Sequence, residues 1–280
     1  MKTAVVTDST AYIPPELRER YHIYMIPLNV IFGEDSYKEE IDMSWQDYYQ
    51  KIKAHETLPK TSQPAYGELI ALYEKLANSY DAVISIHLSS GISGTFNSAV
   101  SANSILEDIK VYPFDSEISC MAQGFYALRA AELAANGALP EEILSHLNDM
   151  KTTMRAYFMV DDLSHLQRGG RLTGAQAFVG SLLKVKPILH FENKLIVPFE
   201  KIRTRKKALN RLYELFGEDA KKGKPLKAVV IHANREEEAD QIIKELSELY
   251  PYVEFYKSYF GPVIGTHLGE GAMGIAWYIA

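Results

Sequence analysis

Ala82-Val83-Ile84-Ser85-Ile86-His87-Leu88 runs directly into Ser89-Ser90-Gly91-Ile92-Ser93-Gly94-Thr95. A short β-rich apolar run bounded by a turn cluster has the pattern of a buried strand. The small hydroxyl and glycine residues after it allow a sharp backbone turn and leave amide N–H groups free. Phe96 to Glu107 then reads as a helix, so the loop sits at a helix N-terminus, where free amides and the helix dipole favour an anion. The loop carries four hydroxyls and no Lys or Arg. It suits one small anionic group held by hydrogen bonds, with no fixed countercharge beside it.

The same alternation extends in both directions. Thr3 to Thr7 reads as a buried strand opening into Asp8-Ser9-Thr10, where capping is a stronger reading than ligand contact. Pro14-Pro15 starts a helix. Tyr21 to Phe32 is an extended apolar segment, turned by Gly33-Glu34-Asp35 into a return over Ser36 to Glu40. Asp42 or Ser44 can cap the helix Trp45 to His55, with Asp47 completing a capping box from Ser44. Thr61-Ser62-Gln63-Pro64 is a second hydroxyl cluster, just before the helix Tyr66 to Asn78. Alone it reads as an N-cap; beside the first cluster, it predicts hydroxyls gathered around the same anion. Lys110 to Phe114 is the next strand, followed by helices over Met121 to Asn136, ended by Gly137, and Pro140 to Met150. Strand–helix alternation of this kind predicts a parallel, helix-covered sheet, with ligands outside the carboxyl ends of its strands.

After Ala156–Val160 the pattern changes. Leu163 to Leu172 reads as a helix ended by glycines. Lys186 to Phe191 and Lys194 to Phe199 flank Glu192-Asn193, a hairpin signature implying antiparallel pairing. Arg203 to Phe216 is helical, Leu226 to Ala233 a strand, Arg235 to Tyr250 a helix and Val253 to Tyr259 a strand. The expected fold class is therefore α/β with two tightly apposed domains. Residues 1–158 form a parallel-sheet domain, and residues 159–280 a smaller mixed-sheet domain whose glycine-rich C-terminal tail returns to the interface.

Composition narrows the function. The chain has 280 residues, 47% of them hydrophobic and 24% charged, and a formal net charge of −6. That is ordinary globular composition and argues against a nucleic-acid partner. A single cysteine, Cys120, excludes intrachain disulfides and fits a reducing compartment. No window approaches the roughly 20 apolar residues of a spanning helix, and the N-terminal apolar run is too short for a signal peptide. A cytoplasmic protein is expected.

Several motifs are weaker than they look. Gly269-Glu270-Gly271-Ala272-Met273-Gly274 matches the dinucleotide fingerprint, but too few residues follow to build the unit it requires. Gly91-Ile92-Ser93-Gly94-Thr95 nearly spells a nucleophile elbow, with Thr95 in place of the last glycine. It leaves, as an alternative, an enzyme in which Ser93 and His267 act on a small ester or phosphorylated ligand. No Walker pattern and no metal-ligand spacing occurs. Gly261 to Gly269 is a second dense glycine stretch, in which His267 reads equally as a structural residue and a ligand contact. Lys201-Ile202-Arg203-Thr204-Arg205-Lys206-Lys207 is the one concentrated basic run. It reads either as a solvated helix face or as a docking patch for an acidic partner.

Taken together, Thr7-Asp8-Ser9-Thr10, Thr61-Ser62-Gln63-Pro64, Ser89 to Thr95, Arg168-Gly169-Gly170-Arg171-Leu172, Lys186-Pro187, the Arg203 segment and Gly265-Thr266-His267-Leu268-Gly269 resemble the DegV family. These are fatty-acid-binding proteins that include the lipid-binding subunit of bacterial fatty acid kinase. The resemblance covers essentially the whole chain and departs at Glu270, where the family usually has proline. It implies a two-domain carrier, not a self-sufficient enzyme, that holds a long-chain fatty acid in an apolar tunnel and uses no cofactor or metal. Thr61 and Ser93 would donate to the carboxylate, with Ser62, the Gly94 amide and Thr95 nearby, and His267 would close the head-group site. An ATP-dependent kinase subunit would phosphorylate the presented carboxylate, docking on Arg203 with Arg205 as neighbour, and transient membrane contact is possible. Arg168 and Arg171 would be structural at the domain junction. Leu28, Val30, Phe96, Phe125, Phe158, Phe178, Leu182 and Leu183 are the tunnel-lining choices. At about 0.8 kcal/mol per buried methylene, about 14 methylenes contribute on the order of 11 kcal/mol before costs. The tail would set affinity and the hydroxyls presentation.

Overall fold

The structure, a computed structural model, describes residues 1–55, 57–172 and 186–280. Four strands, β1 (Thr3–Asp8), β2 (Ile23–Ile26), β6 (Ala82–His87) and β7 (Lys110–Asp115), form a parallel sheet in the order β2-β1-β6-β7. The side-chain period of two divides each strand between two cores. Ala4, Val6 and Val83 face α3 (Tyr66–Ala77) and α4 (Thr95–Asn103), whereas Val5, Ile84 and Ile86 face the centre of the molecule.

The second sheet has six strands in the order β10-β9-β8-β13-β11-β12. These are β8 (Arg155–Met159), β9 (Ile188–Glu192), β10 (Leu195–Glu200), β11 (Leu226–His232), β12 (Glu254–Tyr259) and β13 (Met273–Ile279). All pairs are antiparallel except β11–β12. Met273, Ile275 and Trp277 of β13 face the outer helices α8 (Arg205–Ala220) and α9 (Glu236–Leu249), while Ala276 and Tyr278 face the centre. The central layer between the sheets is α5 (Met121–Ala135) and α6 (Pro140–Thr153). Short helices α1 (Pro15–Arg20), α2 (Trp45–Lys53) and α7 (Ser164–Arg168) complete the shell. The Ser44–Asp47 capping box forms as the sequence predicts.

Three features depart from the sequence reading. The glycine-rich C-terminal stretch is not a tail: it is a helix, α10 (Pro262–Leu268), followed by β13, which lies inside the sheet between β8 and β11. The extended segment Tyr21–Phe32 is broken at Pro27-Leu28, and its second half, β3 (Asn29–Phe32), leaves the parallel sheet. It pairs instead with β4 (Asp35–Lys38) and β5 (Lys60–Ser62) in a small antiparallel sheet. The Thr61 cluster therefore sits on a strand with a fixed register, not on a loose cap. Strand β8, which spans the expected boundary residue 158, belongs to the six-stranded sheet.

Trp277 is 1% exposed, lies edge-on to Phe216 at 5.4 Å and donates from Nε1 to Asp219 at 2.9 Å. Trp277→Ala should cost about 3–5 kcal/mol, read as a fall in the urea midpoint. A loss under about 1 kcal/mol would contradict the central placement of β13.

Candidate functional site

Two carboxylates tether the loop after β6. Asp8, at the end of β1, has no solvent exposure and caps the turn over Ser9–Ala11 through Thr10 N. Its second oxygen accepts from Leu88 N at 3.0 Å and pairs with His87 Nδ1 at 3.0 Å. Asp115 accepts from Ser90 N at 3.1 Å and from Ser90 Oγ at 2.5 Å. Ser89 donates to the carbonyl of Lys194 at 2.7 Å. Two of the four loop hydroxyls are thus consumed in building the loop. Ser93 lines the large central cavity together with the Gly94 backbone. Thr95 is fully buried and bonds Ser93 Oγ from both its hydroxyl, at 2.9 Å, and its amide, at 3.3 Å. It fixes the serine and does not line the cavity.

A second part of the lining comes from β5 and α10. Register with β3 pairs Thr61 with Val30 and Ser62 with Asn29, whose side-chain amide donates to Ser62 Oγ at 3.3 Å. Thr61 Oγ1 lies 2.9 Å from His267 Nε2, and both residues line the cavity, as does Ser62. A side chain at Gly169 would strike the imidazole ring, so glycine there makes room for His267. Gly170, at φ +68, then turns the chain, and Arg171 enters the cavity wall. Its guanidinium donates to the carbonyls of Gly169 at 2.5 Å and Ile92 at 3.2 Å. The expectation of no fixed countercharge holds for the loop itself but not for the site: Arg171 supplies one half-buried cation from 80 residues downstream. Burial, helped by the charges of Arg171 and His165, pushes His267 down to about 4. The head of the cavity therefore presents the hydroxyls of Thr61, Ser62 and Ser93, a neutral imidazole, the Gly94 backbone and one arginine. Such a set suits a single carboxylate or similarly small anion.

Behind these polar groups the wall is apolar, with Leu28, Leu88, Ile118, Phe158, Phe260 and Ile264 among its members. Counted to its open mouth, solvent space included, the cavity holds about 940 Å³ of non-atom space. Of the tunnel-lining choices, Leu28 and Phe158 reach it. Val30 and Phe125 pack instead into the surrounding core, and Phe96 does not line it. Phe178, Leu182 and Leu183 lie outside the described residues.

Ser93 and His267 are each bonded to a different partner. The histidine pairs with Thr61, the serine with Thr95, and among the described residues no carboxylate bonds the imidazole. A Ser85–His87–Asp8 chain does exist, with links of 2.8 and 3.0 Å, but all three residues have no solvent exposure, and Tyr73 bonds Ser85 as well. Among the described residues no cluster of metal-ligating side chains is present, and no helix is long and apolar enough to cross a membrane. In the basic run, Arg203 is exposed. Arg205 is turned inward to Glu238, Asp161 and the Gly271 carbonyl. Glu270 is held by Asn234 at 2.7 Å and Lys53 at 3.1 Å, between positive-φ glycines Gly269 and Gly271.

Fold and cavity define an α/β protein with two sheets enclosing an apolar slot, its mouth set with anion-binding groups. The chain belongs to the DegV family, whose model, described as an uncharacterised protein of that family, matches residues 2–280. It is 70% identical over 278 residues to protein DegV of Bacillus subtilis (strain 168), covering 99% of each chain. A crystal structure of DegV from Bacillus subtilis, described as a fatty acid binding protein, superposes with a TM-score of 0.96 at 69% identity over 100% of both chains. A DegV family protein from Thermus thermophilus, described by its fatty acid binding, gives 0.91 at 30% identity, again over 100% of both chains.

A histidine at about 4 in the fold and near 6.5 when unfolded takes up its proton earlier in the unfolded chain. Stability should therefore fall as pH drops from about 6.5 to about 4 and level off below. His232, also pushed down to about 4 by burial, adds to the slope. His267→Asn should flatten the pH dependence of the urea midpoint; an unchanged slope would contradict the buried, neutral imidazole.

Proposed function

We propose that the chain binds a long-chain fatty acid, with its carboxylate at Thr61, Ser93 and His267 and its tail in the apolar slot. One observation carries the reading: Thr61 and His267, 206 residues apart, meet in the lining of the cavity that Ser93 also lines, and most of the remaining lining is apolar. The division of labour follows. Burial of the tail supplies most of the free energy, while the head-group donors replace the water that the carboxylate loses. The fatty acid binding described for relatives at 69% and 30% identity supports the same ligand class.

The finer part of the proposal is presentation. A carboxylate held by neutral donors and one arginine keeps an oxygen free for phosphorylation by a separate ATP-dependent kinase subunit, giving an acyl phosphate. Arg203, exposed at the entry to α8, is the docking cation. Arg205 beside it ties that entry to Asp161 and Glu238 and so holds Arg203 in place.

Lipid extraction of the purified protein followed by mass spectrometry should give fatty acid at about one per chain, and added palmitate should bind. Ser93→Ala removes one charge-assisted bond of roughly 1.5–3 kcal/mol, so palmitate affinity should fall about 10- to 100-fold with a lipid still held. Arg203→Glu should leave palmitate affinity unchanged and lower acyl phosphate formation by an added kinase subunit. Protein that neither carries nor takes up fatty acid would overturn the ligand; equal loss of binding and phosphorylation in Arg203→Glu would overturn the docking role.

A further inference from the structure

Glu39 has no solvent exposure and follows β4 in a stretch, Lys38-Glu39-Glu40, that reads as ordinary surface charge. Three donors converge on it. Ser9 Oγ donates to Oε2 at 2.5 Å, Tyr12 OH to Oε1 at 2.8 Å and the Val263 amide to Oε1 at 2.7 Å. Two further amides orient those hydroxyls: Leu28 N donates to Ser9 Oγ at 3.0 Å, and Ile264 N to Tyr12 OH at 3.2 Å.

Val263 and Ile264 are the second and third residues of α10, the seven-residue helix that carries His267. A helix begins with amides that have no partner inside it. Here Pro262 has no N–H and Gly261 no side chain, so α10 does not cap itself. Its first donors are satisfied from the other sheet's side of the interface, by Glu39 and by the tyrosine bonded to it. The rest of the helix has little room to move. Side chains at Gly261 or Gly265 would strike Tyr12 or Tyr49, Tyr49 donates to the Phe260 carbonyl at 2.9 Å, and Tyr48 pairs with Thr266 at 3.2 Å. At 1.5 Å rise per residue, Val263 stands only about 6 Å along the axis from His267.

We propose that Glu39 is a positioning residue for the head-group site: by capping α10 across the interface, it sets where the His267 imidazole stands opposite Ser93. The inference rests on the ligand reading above for its binding test but not for its spectroscopic one. Burial pushes the Glu39 carboxyl up to about 8 against the pull of its three donors. In either protonation state Oε1 keeps the Val263 amide, and when protonated Oε2 turns its hydrogen toward Ser9. Glutamine reproduces the protonated arrangement, with its amide toward Ser9, and is the conservative variant.

The test compares palmitate with hexadecanol, which shares the tail and lacks the carboxylate, on the full-length protein at one pH. Glu39→Ala should weaken palmitate about 10-fold or more, the scale of one charge-assisted hydrogen bond, and hexadecanol less than about 2-fold. Glu39→Gln should stay within about 2-fold for both. His267→Ala should show the same acid-selective loss, and combining it with Glu39→Ala should add little, since both act on one contact. Equal loss for acid and alcohol, or losses that multiply in the double variant, would overturn the proposal. If the wild type binds neither ligand, the fatty-acid reading falls, and the His267 ring signals in NMR decide this one separately. They should move in Glu39→Ala and stay put in Glu39→Gln; unmoved signals in both overturn it. Should Glu39→Ala not fold, Tyr12→Phe removes the Ile264 cap and one Glu39 donor, and its ring signals and acid selectivity are read the same way.

Discussion

The 2.9 Å pairing of Thr61 with His267 is the contact on which the rest of the molecule turns. It joins the small antiparallel sheet to a helix inserted between β12 and β13, and both partners line the central cavity. Neither partner is held by its own neighbours in sequence. Thr61 depends on the register of β5 against β3, and His267 on a short helix whose first amides are satisfied by Glu39 and Tyr12. Removing water from such a polar cluster costs free energy unless every group finds a partner. Around the mouth, Asp8 and Asp115 hold one loop, and Thr95 fixes Ser93.

The slot and its mouth answer to different physics. Hydrocarbon burial is non-directional and grows with chain length, so on the fatty-acid reading the apolar wall would select for a tail without specifying its end. Hydrogen bonds are directional, and those to a charged acceptor add only a few kcal/mol each, so on the fatty-acid reading the hydroxyls and imidazole would specify the end and add less affinity than the tail. A neutral His267 and a single guanidinium fit this division. A second cation at the mouth would clamp both oxygens of a bound carboxylate and leave less of it open to chemistry.

The turn after β6 was legible because hydroxyls and glycines gathered after an apolar run have few uses other than turning and hydrogen bonding; the Thr61 cluster showed its hydroxyls but not the strand that β3 makes of it. Parallel strand–helix alternation was legible for the same local reason. The rest depended on contacts distant in sequence. In Gly269-Glu270-Gly271-Ala272-Met273-Gly274 the glycines hide the entry to β13, whose neighbours β8 and β11 lie far upstream. Arg171 reads as a junction residue until Gly170 turns it into the cavity wall. Glu39 looks like surface charge beside Glu40, and only the fold reveals that it is buried on three donors. Arg205, grouped by sequence with Arg203, is instead tied to Asp161 and Glu238.

The most direct measurement is a crystal structure of the protein grown with palmitate. The carboxylate should lie about 2.7–3.2 Å from Ser93 Oγ and from the Thr61–His267 pair, with the chain running inward past Leu28, Phe158 and Phe260. A carboxylate found elsewhere, with the mouth residues bonded only to one another, or a chain lying outside the slot, would contradict the central claim.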